Sequence, residues 1–122
     1  MRRYPFMSDQ RWRLAAVGDQ PAMQIASVWH VTNRAKKALH IPRARIVRPR
    51  TARAEGDVYV LDPSTNLAGD GMLAPRSGAE VITLFCVHPP VCHAGEDFTA
   101  KIVFTDQFGK KHKTKWIVFK YD

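Results

Sequence analysis

Apolar residues recur at every second position over most of this chain. In the last quarter Phe98, Ala100, Ile102 and Phe104 alternate with Thr99, Lys101, Val103 and Thr105. A period of two marks a strand with one buried face. Asp106-Gln107-Phe108-Gly109 follows. Asp suits the first position of a type I turn and Gly the left-handed position after it, which together build a hairpin with a bulge at the glycine. The bulged register predicts Thr105 opposite Lys111, Phe104 beside His112, Ile102 beside Thr114, Ala100 beside Trp116 and Phe98 beside Val118. A slip of one residue turns lysines onto the buried face. The other face then carries Lys101, Lys111, Lys113 and Lys115. Toward the C-terminus it carries Ile117, Phe119 and Tyr121, a row that needs cover from another segment or from a partner.

The same alternation runs through the earlier chain. Trp12, Leu14 and Ala16 predict a first strand, and Gly18-Asp19-Gln20-Pro21 a turn. Met23, Ile25, Ser27, Trp29 and Val31 predict a second strand. Leu39 to Val47 reads as one strand bent near Pro42, where the apolar phase shifts and a backbone donor is missing. Asp57 to Asp62 is a short strand, and residues 63 to 79 are the longest loop, rich in glycine and proline. Glu80 to Val87 is apolar on both parities and predicts a central strand covered on both sides or partly so. Residues 1 to 10 read as a mobile lead-in, leaving 11 to 122 as a single domain. No stretch carries a convincing amphipathic helix of more than a turn or two.

Composition narrows the function classes. With 122 residues the chain makes one domain with a real core. No apolar run approaches the ~20 residues that span a bilayer. The N-terminus lacks the apolar segment of a secretory signal. Two cysteines make no disulfide framework. Both observations favour the cytoplasm. The net charge is +8, and its distribution says more than its sum. From Arg34 to Arg53 there are eight basic residues and no acidic ones.

Strands at roughly ten-residue spacing, with proline and glycine spread evenly between them, are the pattern of an all-β sandwich or barrel. The segment Ile25-x-x-x-Trp29-x-Val31-x-Asn33, then Leu39-x-Ile41, and the Gly95-Glu96-x-Phe98-x-Ala100-x-Ile102 entry to the penultimate strand resemble an immunoglobulin-like antiparallel β-sandwich of about seven strands. The resemblance is at the level of a superfold. It lacks the inter-sheet disulfide and the tyrosine corner, and it licenses no single function.

Three groups of residues are candidate sites. Cys86, His88, Cys92 and His93 are the right ligand types for zinc, but their spacing is not that of paired knuckles, and a free buried thiol with loop residues is the expected state. Arg43, Arg45 and Arg48, with Lys101, Lys113 and Lys115 of the closing hairpin, form a candidate basic face able to grip phosphates or sulfates. No aromatic residue interleaves with the arginines, as it does in single-strand binders. Ile117, Phe119 and Tyr121 form a candidate interface, suited to a homodimer or a neighbouring domain if nothing in the chain covers them. No nucleophile elbow, phosphate-cradling glycine loop or carboxylate pair is present, so no catalysis and no cofactor are expected. The expected function is therefore a non-catalytic interaction module. It binds a protein partner through a sheet edge or face or, as the alternative, a polyanion such as nucleic acid or sulfated glycan through the basic face.

Overall fold

The computed structural model describes residues 2–5, 10–61, 68–69 and 72–122. Twelve strands occur among them: β1 (Arg2–Pro5), β2 (Arg11–Val17), β3 (Gln20–Thr32), β4 (Leu39–His40), β5 (Arg43–Arg48), β6 (Ala54–Leu61), β7 (Ala68–Gly69), β8 (Met72–Leu73), β9 (Gly78–Val87), β10 (Phe98–Thr105), β11 (Lys111–Lys113) and β12 (Ile117–Tyr121). Ten belong to one hydrogen-bonded sheet, and β4 pairs with β8 in a second. The described residues form no α-helix; one short 3-10 turn spans Arg50–Ala52.

The longest strand, β3, is the spine. Met23, Ile25, Ser27, Trp29 and Val31 face inward and are buried, the period-two row its sequence predicts. Along one edge it pairs antiparallel with β9 from Met23↔Val87 to Thr32↔Gly78. The polar members of this pairing satisfy one another. Ser27 Oγ and Thr83 Oγ1 lie 2.6 Å apart, and Trp29 Nε1–H donates to Thr83 Oγ1 at 3.1 Å, so neither hydroxyl is buried without a partner. Across the core the Trp29 ring meets Phe104 of β10 edge-on at 5.4 Å.

Two strands join the halves of the sheet into a closed circuit, β2–β3–β9–β6–β5–β10–β12 and back to β2. The first is β6, whose early residues pair with β5 (Ile46↔Ala54 to Arg43↔Asp57) and whose later ones pair with β9 (Asp57↔Leu84 to Val60↔Val81). The crossing needs a glycine: a Cβ on Gly56 would lie 2.6 Å from the Leu84 carbonyl oxygen and collide with the Phe85 ring. The second is β2, where Arg11 and Trp12 pair antiparallel with Ala26 and Ile25 and parallel with Lys120 and Tyr121 of β12. That parallel pair departs from the wholly antiparallel sheet expected. Trp12 anchors the seam. Its Nε1–H donates to the Glu96 carbonyl at 2.8 Å, and the Tyr121 ring stands edge-on to it at 4.9 Å.

Arg2–Pro5 pair as β1 with Trp29 to Thr32. Two other expectations change, for Leu39 to Val47 and for the loop over residues 63 to 79. Leu39 to Val47 is not one bent strand. Leu39–His40 pairs with Met72–Leu73, whereas β5 resumes beyond Pro42 in the large sheet. The buried Asn33 side chain explains the separation. Its Nδ2 reaches the carbonyls of Lys37, Leu73 and Ala74 at 2.9, 3.3 and 3.2 Å, and its Oδ1 accepts the Ala35 N–H at 3.0 Å, tying the β3–β4 connection to β8. The long loop expected over residues 63 to 79 contains β7 and β8; its residues 63–67 and 70–71 lie outside the described residues. As expected, β9 is central between β3 and β6 and partly covered on its second side. Val81, Thr83, Phe85 and Val87 are buried, while Leu84 is 43% exposed.

Candidate functional site: a cationic cleft on β5, β10 and β11

The site is produced by the closing hairpin, whose tip follows the sequence and whose base does not. At the tip Thr105 pairs with Lys111 and Phe104 with His112, and Gly109 takes φ 77°. Asp106 organises the turn. Its Oδ1 accepts the N–H groups of Phe108 and Lys110 at 2.9 and 3.0 Å, and its Oδ2 lies 3.0 Å from His112 Nε2. Burial pushes the Asp106 carboxyl up, but the His112 side chain and the Lys110 and Phe108 amides outweigh it and hold the carboxyl below its ordinary value.

Below Val103↔Lys113 the returning strand gains one residue. Thr114 N–H donates to the Ile102 carbonyl at 2.9 Å, and Thr114 Oγ1 accepts the Ile102 N–H at 2.9 Å in place of a backbone carbonyl. The ladder then resumes as Ala100↔Ile117, Thr99↔Val118 and Phe98↔Phe119. An extra residue inverts the parity of everything beyond it. Trp116, expected on the core face beside Ala100, is therefore turned out and 52% exposed, and Val118 is 38% exposed. Phe119 is turned in, 0% exposed and packed on Phe98 with ring centroids 5.9 Å apart. The expected outer row of Ile117, Phe119 and Tyr121 is thus covered by the chain itself. Ile117 is half-buried against the core, and only Tyr121 stays exposed.

The outward Trp116 meets the outward side chains of β10 and β5. Lys101 pairs with Arg48 and Val103 with Arg45, with an irregularity in β5 between them. Val103 points outward yet is only 4% exposed. Its neighbours in register are Arg45 on one side and Lys113 on the other, and the aliphatic stems of such residues cover apolar surface while their charges stay in water. The result is a cleft of about 420 Å³ lined by Arg45, Arg48, Arg53, Lys101, Lys111 and Lys113, with Val47, Ile102, Val103, Thr114 and Trp116 as floor and wall. Among the described residues no acidic one lines it. The Lys101 Nζ sits 5.2 Å from the centre of the Trp116 ring, a cation–π contact.

Four of the six basic candidates converge here: Arg45, Arg48, Lys101 and Lys113. Arg43 and Lys115 are exposed but do not line the cleft. Arg43 and Arg45 face Asp57 and Glu55 across the β5–β6 pairing, so the edge nearest β6 is partly balanced by carboxylates. Lys115 lies in the step between β11 and β12. Arg53 belongs to the basic run and Lys111 to the lysine face of the hairpin, so both were visible in the sequence. Trp116 was not, because the second irregularity has no turn residue to announce it.

The zinc candidates do not assemble. Among the described residues no group of three or more His, Cys, Asp and Glu side chains is placed to hold a metal ion. Cys86 is an exposed free thiol and Cys92 a half-buried one. Burial, followed by the nearby Glu96 charge, raises the Cys92 pKa, which disfavours the thiolate a metal needs.

A second cleft, of about 480 Å³, lies over β2, β3, β9 and β6. Arg11 and Arg13 line it together with Glu55, Asp57 and Asp122. No helix among the described residues is long and apolar enough to cross a membrane. A scan against protein-family models finds no match to this chain, and a search of curated proteins finds no similar sequence.

Proposed function

We propose that this chain is a non-catalytic binding module of immunoglobulin-like topology and that it holds an anionic partner on the cationic face of β5, β10 and β11. The topology is supported by the way the sheet divides around Trp29 and Phe104. On one side run β2, β3, β9 and the second half of β6; on the other run β12, β10, β5 and the first half of β6. The observation that carries the anionic reading is the cleft itself, with six cationic side chains, an exposed tryptophan and, among the described residues, no carboxylate. Like charges gathered on one wall repel one another and are relieved when an anion enters, releasing its counterions. Retention on heparin at two salt concentrations tests this. Binding that falls steeply with salt is expected; absence of binding at low salt contradicts it.

A protein partner on a sheet edge is the second reading, and one observation favours it. The β12 pairing of β2 ends at Trp12, so among the described residues Arg13 to Val17 pair on the β3 side only, and Leu14 there is 41% exposed. An edge of this kind accepts an added strand through main-chain hydrogen bonds. Such binding responds little to salt.

A further inference from the structure

We infer that the anion held in the cationic cleft is single-stranded nucleic acid, with one base stacked on Trp116 and the flanking phosphates on the surrounding lysines and arginines. This rests on the cationic-face reading and narrows it to one ligand class.

Of the three tryptophans in the chain, Trp12 and Trp29 are 1% and 0% exposed and Trp116 is 52% exposed. A large flat apolar ring left in water gains most from a flat apolar partner. Its surroundings select which flat partner. Arg45 and Arg48 come from β5, Arg53 from the turn after it, Lys101 from β10, and Lys111 and Lys113 from β11. The Lys101 ammonium, 5.2 Å from the ring centre, sits against the indole, so positive charge and stacking surface occupy the same spot. A nucleotide in a single strand offers both a π face and a phosphate, and single-strand binders combine these two contacts. A duplex conceals its base faces within the stack. A sulfated glycan or polyphosphate supplies the charge without the π face. The cleft volume of about 420 Å³ is in the range that takes one small ordered group rather than a long buried segment, which fits one stacked base with the strand continuing over solvent.

The experiment is a titration with a twelve-nucleotide oligothymidylate at 50 and 200 mM salt, followed by tryptophan emission. The same titration is run with a duplex of equal length, with heparin and with inorganic polyphosphate. Because the other two indoles are buried, a change in emission on oligonucleotide binding reports Trp116. Expected are quenching by the single strand, a logarithmic salt slope of about −0.7 per phosphate neutralised, and a roughly 5- to 150-fold loss of affinity in Trp116→Ala. Trp116→Phe should recover most of that loss, and Trp116→Ala should leave polyphosphate binding unchanged. If all polyanions bind alike and Trp116→Ala is without effect, or if the duplex binds more tightly than the single strand, the stacking inference is wrong and the cationic-face reading stands. If no polyanion binds at low salt, both are wrong.

Discussion

Two clefts of similar size face solvent on this molecule, and they differ in charge. The cleft over β2, β3, β9 and β6, about 480 Å³, sets Arg11 and Arg13 against Glu55, Asp57 and Asp122. Arg13 is further engaged, its Nε–H donating to Gln24 Oε1 at 2.8 Å. The cleft over β5, β10 and β11, about 420 Å³, has six cations and, among the described residues, no carboxylate. The difference traces to β6, which crosses between the halves of the sheet and carries Glu55 and Asp57 to one side of the arginine strand. A net charge of +8 is therefore no uniform coat. It is nearly cancelled in one hollow and concentrated in another.

The concentration depends on the register that turns Trp116 out and Phe119 in. The largest expected effect tests that register. Phe119→Ala should destabilise the fold by about 3–5 kcal/mol, as loss of a fully buried aromatic does, whereas Val118→Ala should stay within about 0.5 kcal/mol. Urea unfolding measures both, and the reverse ranking would mean that the hairpin keeps one register to its base. The next effect sharpens the contrast in charge. The pair Lys101→Glu and Lys113→Glu should weaken heparin binding by roughly 100-fold at low salt, while Arg11→Glu and Arg13→Glu, in the balanced cleft, should cost less than about 5-fold. Equal losses would erase the distinction between the clefts. Gly56→Ala comes third, because it disturbs the β6 crossing that separates acids from bases. A methyl pressed onto Leu84 and Phe85 should cost about 1–3 kcal/mol by thermal or urea unfolding.

The smallest effect concerns the turn that aims the hairpin. The Asp106 carboxyl is held below its ordinary value, so its ionised form stabilises the fold. That contribution is present above the unfolded-state value near 3.8 and is lost as pH falls through the lower folded-state value. Asp106→Asn should therefore cost on the order of 1 kcal/mol at pH 7, and the gap to wild type should close in strongly acidic solution. A gap that widens on acidification would reverse the sign of the argument.

Much of this architecture was legible in the sequence because period-two patterning survives wherever a strand buries one face. The rows Met23 to Val31 and Phe98 to Phe104, and the turn at Asp106 to Gly109, were readable for that reason. What was not legible has a common cause: geometry set by tertiary pairing instead of local residue type. The extra residue between Lys113 and Ile117 carries no Gly, Asn or Pro, and it is held by the Thr114 hydroxyl bonding to Ile102. Sequence alternation alone therefore put Trp116 inside and Phe119 outside. The split of Leu39 to Val47 was half legible, since Pro42 broke the phase, but the pairing of β4 with β8 depends on Asn33 reaching across 40 residues. The basic face was legible in kind and not in membership. Alternation selects Arg43, Arg45 and Arg48 together, while only the fold places Arg45 and Arg48 in the cleft and leaves Arg43 outside it.

The most direct test is a two-dimensional amide and indole NMR titration of the intact chain with a short polyanion. Perturbed signals should cluster on Arg45, Arg48, Lys101, Lys113 and the Trp116 indole, and signals from Arg11, Arg13 and Gln24 should stay still. Perturbations centred on Arg11 and Arg13, or none at low salt, would contradict the cationic-face reading.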